Sequence, residues 1–239
     1  MIVIDQQGSV IEVESVNCGL QQPSRPIEPQ IQKITGITEA MVVSKRLVPQ
    51  KIADHIEAAD ACLAFNAAFD RQHLEMLVPK VGKMPWICAM ADVDWHALGF
   101  DGRAQGYFLM QAGMFNPVAH RAADDVASLI NLLAHECPDG RTVMAHALAG
   151  ARSPTWRFEA SDLPHRLRKD VYRRGYRYSY RGVNHKLVRE ADHDAEVAWY
   201  HDLVGRDPTI VQVDWVARYR ADWTWEPVER KVEVVSWRR

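Results

Sequence analysis

The chain is predicted to fold as an α/β domain over roughly residues 1–136, followed by a small α+β module that is basic and aromatic. Three observations support this. Short apolar runs of strand length alternate with helix-period segments as far as residue 136. After Pro154 the pattern changes to strand, basic helix, hairpin and helix. The composition is globular, with 47% apolar and 25% charged residues and a net charge of −2.

Taken in order, Ile2 to Ile4 and Val10 to Val16 are apolar or β-branched runs separated by Asp5-Gln6-Gln7-Gly8-Ser9, which reads as a β-hairpin turning at Gly8. Gln22-Pro23-Ser24-Arg25-Pro26 and Pro29 mark an extended connection. Thr38 is placed to cap a short helix containing Ala40, Met41 and Val42. Pro49 opens another, with Ile52, His55, Ile56 and Ala59 on one face. Ala61 to Phe65 is a short buried strand that runs into a helix from about Ala67, whose apolar side is Phe69, Leu74 and Leu77. Trp86-Ile87-Cys88 is a further strand. Tyr107 to Ala112 and Arg121 to Leu133 are helical, the second with Ala123, Val126, Ile130 and Leu133 inward.

The module spans residues 151–225. Trp156-Arg157-Phe158 reads as a strand, and Leu163 to Arg174 as a basic helix ended by Gly175. Tyr176 to Tyr180 and Lys186 to Arg189 read as a hairpin around Gly182, and Asp192 to Leu203 as a helix. Six of the eight Trp follow residue 150, enough apolar area for a core of its own. Residues 226–239 are a tail of undefined structure.

No apolar run approaches the roughly 18 residues of a membrane span, and no basic-then-apolar leader is visible, so a cytoplasmic protein without a membrane partner is expected. Cys18, Cys62, Cys88 and Cys137 form no C-x-x-C pair and read as reduced thiols; structural zinc is not expected. The near-neutral total hides a division. Between Ala151 and Arg189 eleven Lys or Arg face three Asp or Glu, a local charge of +8, so the remainder carries −10. That separation suits a protein that handles phosphates in one place and cations in another.

Asp70 follows a strand at the opening turn of a helix, with Asn66 at the strand end. Asp125 lies one turn into the next long helix, and His120 precedes that helix in its entry loop. Each taken singly has an ordinary explanation: a solvated helix-start carboxylate, a surface imidazole. Asp124 competes with Asp125.

Three segments in fixed order carry more weight. They are Ile34-Thr35-Gly36-Ile37-Thr38, Phe65-Asn66-Ala67-Ala68-Phe69-Asp70 and His120-Arg121-Ala122-Ala123-Asp124-Asp125. Together they resemble the DnaQ-like (DEDDh) 3′–5′ exonucleases, the family that includes the proofreading epsilon subunit of DNA polymerase III. The second segment matches the family's His-Asn-Ala-x-Phe-Asp motif with Phe65 at its first position, and the third matches its His-x-x-x-x-Asp motif, whose spacing selects Asp125. The similarity covers roughly residues 1–136, and Trp156 to Leu203 resembles a C-terminal extension of some bacterial relatives.

The resemblance implies an RNase H-like mixed sheet and two-metal hydrolysis of DNA 3′ ends, single-stranded or frayed, with RNA as an alternative substrate and a DNA polymerase as a candidate partner. Two Mg²⁺ or Mn²⁺ ions would activate water and stabilise the leaving oxygen. Asp70 and Asp125 would hold metal and His120 would act as general base. Asn66 and Ile34, Thr35, Gly36, Ile37 and Thr38 would position the 3′ end. The basic module, judged by its own residues, has two readings: Arg168 and Arg173, with Arg166, Lys169 and Arg174, meet phosphates while Tyr176, Tyr178 or Tyr180 stack on bases, or the basic helix face is simply solvated.

The chain departs from the family at one motif. The family's Asp-x-Glu strand has no clear counterpart, because Ile2 to Val16 matches its second and third strands. Asp5-Gln6-Gln7 as a degraded version leaves too few residues before Ile34 for two further strands. The expectation is a sheet lacking its first strand, with Met1 internal to a longer natural protein. The rival class is a nucleic-acid-binding or replication-complex subunit impaired in catalysis.

Overall fold

Residues 2–13 form the expected β-hairpin: β1 (Ile2–Ile4) pairs antiparallel with β2 (Val10–Val13), which stops short of Val16. The computed structural model describes residues 1–116, 120–178 and 184–220. It divides into two units, Met1–Ala151 and a second beginning at Arg152. The hairpin turns through Gly8, whose φ of +86° favours glycine. A Cβ at that position would lie 2.6 Å from the Cα of Ala145, and Thr142 Oγ1 donates to the Gly8 carbonyl at 2.8 Å.

α1 (Pro29–Thr35) is a helix where an extended connection is expected. Pro29 sits in its first turn, and Gly36, at φ +66°, ends it by donating its N–H to the Gln32 carbonyl. α2 (Glu39–Val42) follows from Thr38, which occupies the N-cap position without a side-chain bond. α3 (Pro49–Glu57) buries Ala53 rather than His55, which is exposed and meets Asn17 Nδ2 at 2.9 Å.

β3 (Cys62–Ala64), α4 (Ala67–Leu77) and β4 (Trp86–Cys88) form a β-α-β unit with the two strands parallel, the connection that parallel strands need. The inward face of α4 departs from expectation. Phe69 is 57% exposed, and the buried residues are Ala67, Arg71 and Glu75. The i,i+4 pair Arg71–Glu75 neutralises itself at 2.5 Å, so charged residues can take the core face while Phe69 turns outward.

α5 (Ala89–Asp92) leads into a cluster in which Trp95 stacks on Phe108 at 4.0 Å, with Phe100 edge-on to both. Phe108 belongs to α6 (Gln105–Gln111). α7 (Ala122–Leu133) buries Ser128, Leu129, Leu132 and Leu133, while Ala123 and Val126 are exposed against expectation. The helix is rotated so that Leu129 and the Leu132–Leu133 pair supply the larger apolar area. α8 (Val143–Arg152), which no sequence pattern anticipates, closes the first unit.

The described strands of this unit form no single mixed sheet. β1–β2 and β3–β4 are separate two-stranded ladders, with no described strand joining them.

The second unit is a four-stranded antiparallel sheet, ordered β6-β7-β5-β8, with two helices. β5 (Thr155–Ala160) is central. The basic helix is shorter than predicted: a 3-10 turn at His165–Leu167 and then α9 (Arg168–Arg173). β6 (Arg177–Tyr178) pairs with β7 (Asn184–Arg189) as the expected hairpin. α10 (His193–Val204) and an unanticipated β8 (Thr209–Val213) complete it. Phe158, Val171, Tyr176, Val188 and Tyr200 form its core, with Trp156 and Trp199 against them. The turn at Gly182, Tyr180 and the tail at 226–239 lie outside the described residues.

Candidate active site

Asn66 is the N-cap of α4, and the N–H groups of Phe69 and Asp70 both donate to its carbonyl, at 2.9 and 3.2 Å. The turn is anchored from below by Cys88. Its Sγ accepts from the Ala67 N–H and donates to the Phe65 carbonyl, both at 3.4 Å. Burial pushes the Cys88 thiol above its ordinary pKa, so it keeps the proton it donates. Asp70 projects from the first turn and is exposed by area. Partial desolvation by the chain around it nevertheless raises its pKa, against the opposing effects of a hydrogen bond from its own N–H and of His73.

Asp125 is half-buried, as is Asp124. Asp125 Oδ1 accepts from Asn116 Nδ2 at 2.9 Å and from the His120 N–H at 3.3 Å. Its carbonyl accepts from Gln105 Nε2 of α6 at 2.7 Å. His120 is exposed and adopts φ +70°, a left-handed conformation that costs a non-glycine residue about 1–2 kcal/mol. Asn116 and Gln105 are contributors that motif spacing does not reveal: both lie outside the recognised segments, and their signal is only their contact with Asp125.

The two motif regions lie on linked elements. Phe65 meets Phe108 of α6 at 6.1 Å between ring centroids, and α6 holds Asp125 through Gln105. No hydrogen bond or ion pair among the described residues joins Asp70 to Asp125 or His120. Nor is any group of three or more His, Cys, Asp or Glu among them placed to hold a metal ion. Asp70 and Asp125 by themselves do not fit the two-ion centre that the resemblance implies.

Thr35 and Ile37 line an open groove of about 530 Å³ with Pro23, Pro26, Ile27 and Ile31. Thr35 Oγ1 is fixed between the Ile31 carbonyl and the Ile37 N–H. Glu39 accepts from the Ile27 N–H and ties the proline-rich segment to α2. Ile34, Gly36 and Thr38 are exposed along the same stretch.

In the second unit Arg168 is exposed at the start of α9, and Arg173 at its end lies 3.8 Å from Asp170. Tyr176, expected to stack on bases, is fully buried in the core and faces no solvent. No helix among the described residues is long and apolar enough to cross a membrane.

No family model matches the chain. Two curated proteins are similar to it: Exodeoxyribonuclease 10 of Escherichia coli strain K12 and its counterpart in Escherichia coli O6:H1 strain CFT073. Each is 35% identical over 96 residues, which is 35% of this chain and 40% of the relative. A solved structure, Exonuclease X in complex with 5′ overhanging duplex DNA, aligns with a TM-score of 0.40 and 23% identity, covering 62% of this chain and 87% of that one. The similarity to the two curated exodeoxyribonucleases therefore spans 40% of their length.

Proposed function

We propose that the chain is a DnaQ-like nuclease of RNase H-like fold that removes nucleotides from DNA 3′ ends. The observation that carries this is the 35% identity to proteins named as exodeoxyribonucleases, together with three family motifs in family order.

In this reading the groove at Thr35 and Ile37 takes the terminal nucleoside, its apolar walls against the base and its threonine near the sugar. His120 takes a proton from the attacking water, the task for which an imidazole is suited near neutral pH. Asn116 and the His120 N–H hold Asp125 in one orientation. When bound, divalent ions would polarise the phosphate; Asp70 and Asp125 are two donors towards them, and the chemistry needs more. A polymerase partner and action on RNA are further parts of the proposal and rest on the resemblance alone.

A second reading is binding of DNA without hydrolysis. It is favoured by one observation: among the described residues no group of three or more His, Cys, Asp or Glu is placed to hold a metal ion. One assay separates them. The 239-residue chain is incubated with 5′-labelled single-stranded DNA and Mg²⁺ or Mn²⁺, beside His120→Ala and Asp125→Ala. Stepwise shortening from the 3′ end, lost in both variants, supports the nuclease. A folded, inert chain that retains DNA refutes it in favour of the second reading.

A further inference from the structure

α9 and the strand after it carry an arrangement that the active-site reading does not use. At 100° per residue, Arg168, Tyr172, Lys169 and Arg173 follow one another in that order across about 140° of the helix surface. Val171 lies on the other side, buried in the core. Arg166, in the preceding turn, is exposed as well. Among the described residues the side chains of Arg166, Arg168 and Lys169 have no hydrogen-bond or ion-pair partner, and that of Arg173 is 69% exposed with only the loose contact to Asp170.

Two tyrosines open onto solvent in the same stretch, Tyr172 at 40% and Tyr178 at 62% exposure. Arg177 fastens β6 to the end of α9 by donating to the carbonyls of Tyr172 and Tyr176, at 3.3 and 2.9 Å. The unit's internal charges are accounted for separately: Arg174 and Lys186 both pair with the buried Glu196. The cations on the exposed arc are therefore not needed to balance the fold.

We infer that this face of the second unit is a binding ledge for single-stranded nucleic acid, with Arg168, Lys169 and Arg173 contacting successive phosphates and Tyr172 and Tyr178 stacking on bases. Unpaired cations alone fit any polyanion. Planar rings exposed in the same stretch, Tyr172 among the cations on the helix and Tyr178 on the strand after it, select a polymer with exposed π-faces, which a duplex or a lipid headgroup does not offer. The ledge rests on the exonuclease reading only for the choice of DNA as the polymer.

The test is fluorescence anisotropy of the full chain with a labelled oligothymidine of about 20 nucleotides, long enough for one ledge, in EDTA so that no hydrolysis occurs. Arg168→Gln/Arg173→Gln is expected to weaken binding at least tenfold. It should also flatten the slope of log K against log salt by about 1.4, from two lost phosphate contacts. Tyr172→Ala/Tyr178→Ala is expected to weaken binding at least about fivefold with the salt slope unchanged. Both pairs are exposed, and circular dichroism checks that the fold is kept. Wild-type affinity in both variants overturns the ledge, as does binding of the chain to anionic vesicles but not to the oligonucleotide. Because binding is read without turnover, an inert nuclease can still show the ledge. An active nuclease with unaffected variants loses the ledge alone.

Discussion

Replacing Arg71 by methionine tests whether the helix that carries Asp70 is held in place by a buried charge pair. Arg71 is fully buried and Glu75 is 7% exposed, so solvent screens their 2.5 Å contact little. The guanidinium also donates to the Gly82 carbonyl at 3.2 Å and lies 5.7 Å from the centre of the Trp86 ring. Met is of similar length and apolar, so Arg71→Met removes the cation without opening a large cavity, and the Glu75 carboxylate loses the Arg71 contact. Breaking a buried pair in this way costs about 3–5 kcal/mol. For a unit of this size that corresponds to a fall in Tm of roughly 6–20 °C. Arg71→Met/Glu75→Leu removes both charges and is expected to return to within about 1 kcal/mol of the wild type, because a hydrophobic replacement of a whole buried pair is near neutral. Urea unfolding followed by circular dichroism reads the stability, and hydrogen exchange at the α4 amides assigns the change to the first unit. A single variant within about 1 kcal/mol of the wild type refutes the reasoning, and so does a double variant no more stable than the single one.

Asn116→Ala removes the amide that orients Asp125 and is expected to cost about 1.5–3 kcal/mol, as for a hydrogen bond to a charged group; chemical denaturation measures it. His120→Gly relieves the left-handed backbone and is expected to change stability by a gain of about 0–1.5 kcal/mol after glycine's entropic cost, while lowering nuclease activity at least about a hundredfold. Paired Tm and turnover measurements check this, and a loss of stability would rule out backbone strain at His120. Tyr176 is buried, its pKa raised above the ordinary 10.0 first by desolvation and then by the Glu196 carboxylate. Below pH 10 the phenol is protonated both folded and unfolded; above it only the unfolded chain releases the proton, so stability falls as pH rises. Tyr176→Phe is expected to flatten that alkaline loss in a pH series of unfolding curves while changing little at pH 7, since its hydroxyl has no hydrogen bond of good geometry.

The order of strands and helices in the first unit could be read from sequence wherever an apolar run was bounded by Gly or Pro. Gly8 marks the β1–β2 hairpin and Pro49 the start of α3, while α4 and β4 are legible from their apolar spacing. Which side of a helix faces inward was harder to read. Phe69 and Val126 are apolar yet exposed, because Arg71 with Glu75 and Ser128 with Leu129 occupy the inner faces. A pair of opposite charges four residues apart looks like a solvated surface to any hydrophobicity pattern, and only the fold shows that it is dry. α1 is bracketed by Pro29 and Gly36 yet does not stand out in the sequence, because the prolines before it favour an extended connection. α8 and β8 carry no turn signal strong enough to separate them from their surroundings. At the candidate site, the positions of Asn66 and Asp70 at a helix start, and of His120 before a helix, follow from the alternation of strand and helix patterns. The supports Asn116, Gln105 and Cys88 did not, because hydrogen bonds across 9, 20 and 21 residues leave no local pattern.

The clasp between Gly8 and α8 bears on how the first unit is made. Thr142 reaches the Gly8 carbonyl across 134 residues, and no side chain at position 8 would let Ala145 approach. Closing a contact so distant in sequence carries a loop-closure entropy cost, and topologies rich in such contacts fold slowly. During synthesis the hairpin emerges long before the helix that receives it. A two-stranded ribbon with both edges open is marginal alone and a ready template for other strands. Between translation of residue 8 and of residue 145 the ribbon therefore lacks the helix it packs against, and slowing elongation before residue 142 is expected to lower soluble yield.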